Sequence, residues 1–93
     1  MKNKKLKSVR NKLDKLDFKI LGLIKKRTSL VNQVIKIKKF KNQIVDKKRI
    51  IEVLRKVKLN SIKKNIDPKI TQKIWKSMIS SYIEYEKRKF KKK

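Results

Sequence analysis

Arg27 is where the chemistry of this sequence begins. In "LGLIKKRTSLVNQV" the apolar residues recur every three or four places, and the arginine sits where that count calls for an aliphatic side chain. The seam runs through Leu6, Val9, Leu13, Leu16, Ile20 and Leu23 before it, and through Leu30, Val34 and Ile37 after it. Arginine is almost never fully buried without a partner. Lys38 follows eleven residues later, which at about 100° per residue returns to almost the same helix face. Arg49 lies past a break, one turn into the next helical segment. Three cations around a mostly aliphatic pocket repel one another unless an anion joins them. A dicarboxylate or a phosphorylated small molecule would do so, and arginine is the residue for a bidentate grip on carboxylates. Arg10 is 17 residues before Arg27, about 25 Å along a helix. That is too far to serve the same pocket from its own chain, but within reach of a partner's pocket across an antiparallel pair of long helices.

Each residue taken alone has a plainer reading. Arg27 could set the register of a helical seam, satisfied by an acid of a neighbouring helix. Lys38, Arg10 and Arg49 read singly as solvated charges, and Glu86 as an exposed acid within "EYEKRKF" able to pair with a lysine one turn away. Trp75 reads as core. Only the joint spacing favours a binding site.

Composition narrows the chemistry. With no cysteine and no histidine among 93 residues, the chain has no disulfide, no thiolate nucleophile, and neither the commonest general base nor the commonest metal ligand. Seven acids are scattered without an obvious ligand pair, so neither metal nor cofactor is expected. The start, "MKNKKLKSVR", is basic, but no apolar run of signal-peptide length follows it, and nothing approaches membrane-spanning length. A cytoplasmic protein without a membrane partner is expected. The net charge of +25 invites nucleic acid as a partner. The lysines are spread everywhere, however, and the chain lacks alanine while being rich in Ile, Lys and Asn, the bias of an AT-rich coding sequence. The charge therefore reads mainly as a solvated surface, with nucleic-acid binding kept as the rival from another class.

The elements that must position these residues are helices. One Gly and one Pro leave few breakers. The spacing predicts a first helix from about Lys4 to about Phe40, with Gly22 inside it at a modest propensity cost, then a break in "KNQIV". Asp46 is placed to N-cap a second helix, "KKRIIEVLRKVKLNSIKK", with Ile50, Val53, Leu54 and Val57 on its apolar face. Asp67-Pro68 signals a third start, an N-cap aspartate followed by proline at the first helical position. That helix runs to about Arg88 and is expected to bury Ile70, Ile74, Trp75, Met78, Ile79 and Ile83. A first helix of about 36 residues spans roughly 54 Å, whereas a compact domain of this size has a radius of gyration of about 12 Å. Two shorter helices cannot cover such a rod, but a second copy of the chain can. The expected fold is all-α: one domain over residues 1–93, three helices, a long first helix, and an intertwined homodimer. Basic tails at about 1–8 and 89–93 are expected to fray.

Three stretches carry a resemblance: "VRNKLDKLDFKILGLIKKRTSLVNQVIKIKK", "IVDKKRIIEVL" and "IDPKITQKIWKSMI". Together they resemble the all-helical chorismate mutases of the intertwined-dimer type over about residues 9–86, most specifically in the spacing "R…LD..IL.LI..R..LV..V...K". The resemblance implies rearrangement of chorismate to prephenate in aromatic amino-acid biosynthesis, in sites shared between two subunits. It implies that Arg10 reaches a substrate carboxylate from the other subunit and that Arg27 holds a carboxylate from its own. Lys38 would contact a carboxylate and the ether oxygen, Asp46 would meet the substrate through its main chain near the ring hydroxyl, and Arg49 would help close the site. Glu86 matches a position that is Gln in some members and Glu in others, and would donate a hydrogen bond to the ether oxygen, which requires it to be protonated. Val34, Ile50, Ile79, Tyr82 and Ile83 are expected to line the pocket.

Two positions depart from the pattern. Ile50 stands where the family often has a glutamate binding the ring hydroxyl, and Tyr82 where it often has a small serine. Both are similar to the isochorismate-pyruvate lyases that share the fold, whereas Asp46 and Glu86 are similar to the mutases. The reaction suits the composition: a C–O bond breaks as a C–C bond forms in one step, with no nucleophile, metal or cofactor. Catalysis must then come from holding the reactive conformer and stabilising charge on the ether oxygen. A purely structural coiled-coil dimer is a third reading, and it leaves Arg27 on the seam unexplained.

Overall fold

The computed structural model describes residues 3–38 and 40–90. Among them are three α-helices and no strand: α1, Lys4–Ile37; α2, Lys47–Lys63; and α3, Pro68–Lys89. A short 3₁₀ turn, Lys41–Gln43, lies between α1 and α2. No helix among the described residues is long and apolar enough to cross a membrane. The chain divides into two units, Met1–Gln33 and Val34–Lys93.

The first unit is the greater part of α1. The periodicity produces the helix expected, beginning with the bond from Lys7 N–H to the Asn3 carbonyl (2.8 Å). Its apolar seam is open: Leu6, Val9, Leu13, Leu16, Ile20 and Leu23 are all between 44 and 62% exposed. Of the tails expected to fray, Lys4 to Ser8 are helical and Lys89 closes α3, while residues 1–2 and 91–93 lie outside the described residues.

The second unit holds the end of α1, the 3₁₀ turn, α2 and α3. α1 stops three residues before the expected Phe40. Its last bond runs from Lys38 N–H to the Val34 carbonyl (3.0 Å). Beyond it Phe40 is extended, and its N–H is taken by the Gln43 side chain (2.8 Å). The turn thus satisfies with a side chain the N–H that a continued helix would bond to a backbone carbonyl. Asp46 caps α2 as the spacing predicts, accepting from the Arg49 N–H (3.0 Å). Asp67 caps α3 in the same way, through the Lys69 N–H (2.9 Å), with Pro68 at the first helical position. Just past the end of α2, Asn65 has a left-handed φ of 58°. There Ile66 N–H reaches the Ser61 carbonyl and Asn65 N–H the Ile62 carbonyl, the paired bonds that terminate many helices.

α2 and α3 pack on each other. The expected face of α2, Ile50, Val53, Leu54 and Val57, is half-buried. On α3 the half-buried stripe is Thr71, Gln72, Trp75, Met78, Ile79, Tyr82, Ile83 and Glu86. Ile70 and Ile74 were expected in this core but are 56 and 48% exposed. Trp75, Met78, Ile79 and Ile83 are half-buried as expected, while in the first turns Thr71 and Gln72 face α2 with polar bonds that an isoleucine cannot make. Gln72 Nε2 donates to the Leu54 carbonyl (2.9 Å), and the hydroxyls of Ser61 and Thr71 meet at 2.7 Å. Ser61 is 4% exposed and donates to the Val57 carbonyl (2.6 Å), so Thr71 donates to Ser61. The buried apolar residues, among those described, are Ile35 and Ile44.

Candidate active site

Lys38 follows the last residue of α1, and its side chain turns back into the second unit. Its Nζ donates to Glu86 Oε1 and to the Ile44 carbonyl, each at 3.3 Å. The two charged side chains are 18 and 12% exposed. Glu86 is positioned by α3, where Ile79, Tyr82, Ile83 and Glu86 fall at helical spacing on one face. Residues 38 and 86 are thus brought together as a partly buried ion pair. An ammonium carries three donors; two are used by these contacts, and the third can meet an incoming oxygen.

Two concavities of the second unit divide the other expected residues. Lys38 and Asp46 line a depression of about 530 Å³ with Gln43, Val45, Lys47 and Lys48. Ile50, Ile79 and Ile83 line a groove of about 340 Å³ with Leu54, Lys76, Ser80, Glu84 and Lys87. Tyr82 is half-buried and packs edge-on to Tyr85, ring centroids 6.3 Å apart. Val34 is 43% exposed. Arg10, exposed, and Arg27, half-buried, are carried on α1 in the first unit.

Arg49 is engaged on its own helix. Its Nη1 donates to Glu52 Oε1 at 2.5 Å, an i,i+3 pair on the exposed side of α2. That hydrogen bond, followed by the charges of Lys56, Arg49 and Arg55, holds the Glu52 carboxyl below its ordinary range. Glu52 was not singled out in the sequence. The signal was there, since it lies three residues after Arg49 and three and four before Arg55 and Lys56, all on one helical face. The described residues bring together no group of three or more His, Cys, Asp or Glu side chains that could hold a metal ion.

A cation pinned between a carboxylate and a carbonyl, beside apolar helical faces, can bind an anion and donate to an oxygen on which charge develops. It offers no nucleophile. The family model for chorismate mutase type II matches residues 9–87. No curated protein and no solved structure matches the chain. The family match covers most of the chain, from the arginine-bearing seam of α1 to Glu86 on α3, and so the chain belongs to the type II chorismate mutases, isomerases that act on chorismate.

Proposed function

We propose that the rearrangement of chorismate to prephenate runs at the Lys38–Glu86 pair, in a site completed by a second copy of the chain. The partly buried contact between these two residues is the observation that carries the reading. Nothing is transferred to the protein in this reaction: the ether C–O bond breaks as the new C–C bond forms within the substrate. The chain's part is to select the reactive conformer and to stabilise the ether oxygen as it gains charge. Lys38 donates to that oxygen and to a carboxylate. Glu86, once protonated, is the second donor. A preorganised donor of this kind is commonly worth about 10²–10³-fold in turnover. Arg27 grips one carboxylate, Arg10 of the other copy grips the second, and Asp46 meets the ring hydroxyl through its main chain. Arg49 closes the site after exchanging Glu52 for substrate. Ile50, Ile79 and Ile83 supply apolar wall.

Support for a second copy comes from α1. A contiguous stripe of large aliphatic side chains, 44 to 62% exposed over the first unit, is the kind of surface that a chain in water covers with a partner. A second α1 has the matching three-four spacing. The intertwined homodimer follows, with Arg10 crossing between copies.

Complementation tests the shared site. Arg10→Ala and Arg27→Ala chains, each inactive alone, are co-refolded in equal amounts. Half the chains pair as heterodimers, each with one intact site, and turnover should return to about a quarter of wild type. No recovery, with heterodimers shown to form, would exclude sharing.

A further inference from the structure

We infer that Gln43 is a positioning residue for Lys38, acting through the backbone carbonyl of Ile44. This rests on the reading that Lys38 contacts the substrate.

Lys38 Nζ has two acceptors in this structure, Glu86 Oε1 and the Ile44 carbonyl. They are not equivalent. When Glu86 is protonated and donates to the ether oxygen, it loses its charge and holds the lysine only as a neutral acceptor. The Ile44 carbonyl does not change in that way, so the placement of the ammonium in the reacting complex depends more on where that carbonyl points. The carbonyl is set by a small turn. Ile44 N–H donates to the Lys41 carbonyl (3.1 Å) and Gln43 N–H to the Phe40 carbonyl (3.0 Å). Gln43 Oε1 then accepts from the Phe40 N–H (2.8 Å). Gln43 therefore closes the turn at both poles of Phe40, once with its backbone and once with its side chain. The donor is a backbone N–H, so the acceptor must be the amide oxygen. Ile44, at 4% exposure, anchors the far end of the turn in the core. Removing the side-chain bond releases Phe40 and lets the segment before Ile44 relax, while the buried isoleucine stays.

Gln43 is exposed, so its truncation opens no core cavity. It also lines the same depression as Lys38 and Asp46. Its effect should fall on catalysis, because a lysine displaced by a fraction of an ångström still attracts a dianion but no longer meets the ether oxygen.

Four purified proteins test this with chorismate: Gln43→Leu, Gln43→Glu, Lys38→Met, and Lys38→Met combined with Gln43→Leu. Gln43→Leu should lose about tenfold in kcat, within the range expected for misplaced catalytic groups, with KM changed less than about threefold and helix content unchanged. Glutamate keeps the acceptor for the Phe40 N–H. Gln43→Glu should therefore recover most of kcat while raising KM by charge repulsion of the substrate. In the Lys38→Met background, with residual turnover read at high enzyme concentration, Gln43→Leu should add no further loss. Normal kcat in Gln43→Leu beside an inactive Lys38→Met would overturn the inference and leave the site reading intact. Equal losses in Gln43→Leu and Gln43→Glu, or a loss that persists without Lys38, would show a merely structural role. Wild-type turnover in Lys38→Met would overturn the site reading itself.

Discussion

Replacing Glu86 by glutamine should weaken the free protein and strengthen the enzyme at neutral to basic pH. Lys38 and Glu86 stand 3.3 Å apart with side chains 18 and 12% exposed. At an effective dielectric near 20, the gross attraction of such a pair is about 5 kcal/mol, most of it offset by the cost of taking both charges from water. Glutamine keeps an oxygen on Lys38 but makes it neutral. The change from a charged to a neutral acceptor costs about 1 kcal/mol, or roughly 5 °C in Tm for a chain of this length. The comparison must be made at equal protein concentration, since a dimer's Tm depends on it. Catalysis should move the other way. An ionised Glu86 only accepts, and would repel the ether oxygen, whereas glutamine donates at every pH. Wild-type turnover should fall as pH rises, and that of Glu86→Gln should not. The assay is initial-rate loss of chorismate from acid to basic pH for both proteins, beside thermal melts. Superimposable pH profiles with a lowered Tm would refute the donor role and leave Glu86 a structural partner of Lys38.

Three further outcomes are expected. Glu52 ionises more readily folded than unfolded, so its contribution to stability is present above the unfolded carboxyl's titration and is lost as pH falls through the lowered folded value; acid-side melts of Glu52→Gln should show a shallower decline than wild type. Asn65→Val should cost about 1–2 kcal/mol because Asn65 has φ of 58°, whereas Asn65→Gly should be neutral or stabilising, as chemical denaturation will show. The net charge of +25 should steer a dianionic substrate, so kcat/KM should fall several-fold from low salt to about 0.5 M while kcat holds.

Local signals made the helices legible. Asp46 and the Asp67-Pro68 pair are caps that the backbone needs at those places, and both act as caps in the structure. The three-four spacing marks α1 almost to its end. It misses the stop at Ile37 because no glycine or proline marks it; beyond the stop, the Phe40 N–H donates to the Gln43 side chain instead of continuing the helix. Ile70 and Ile74 of α3 are a similar case. Hydrophobicity alone favours them, and only the partner helix shows that Thr71 and Gln72 have backbone and hydroxyl groups to satisfy there. The site divides along the same line. Lys38 stood out by its spacing from Arg27, a property of one helix. Its pairing with Glu86 joins residues 48 apart in sequence, which no periodicity reports; Glu86 was found through family resemblance. Arg49, expected over the substrate pocket, is instead held by its i,i+3 partner Glu52, a surface pair weak enough to exchange for a ligand.

The most direct measurement follows purified wild-type and Lys38→Met proteins with chorismate, identifying the product by proton NMR. Prephenate should accumulate as chorismate disappears, with no pyruvate released. The folded Lys38→Met protein should be slower by at least about 10²-fold, as for loss of a donor to a developing oxyanion. Release of pyruvate, or undiminished conversion by Lys38→Met, would contradict an isomerase working at the Lys38–Glu86 pair.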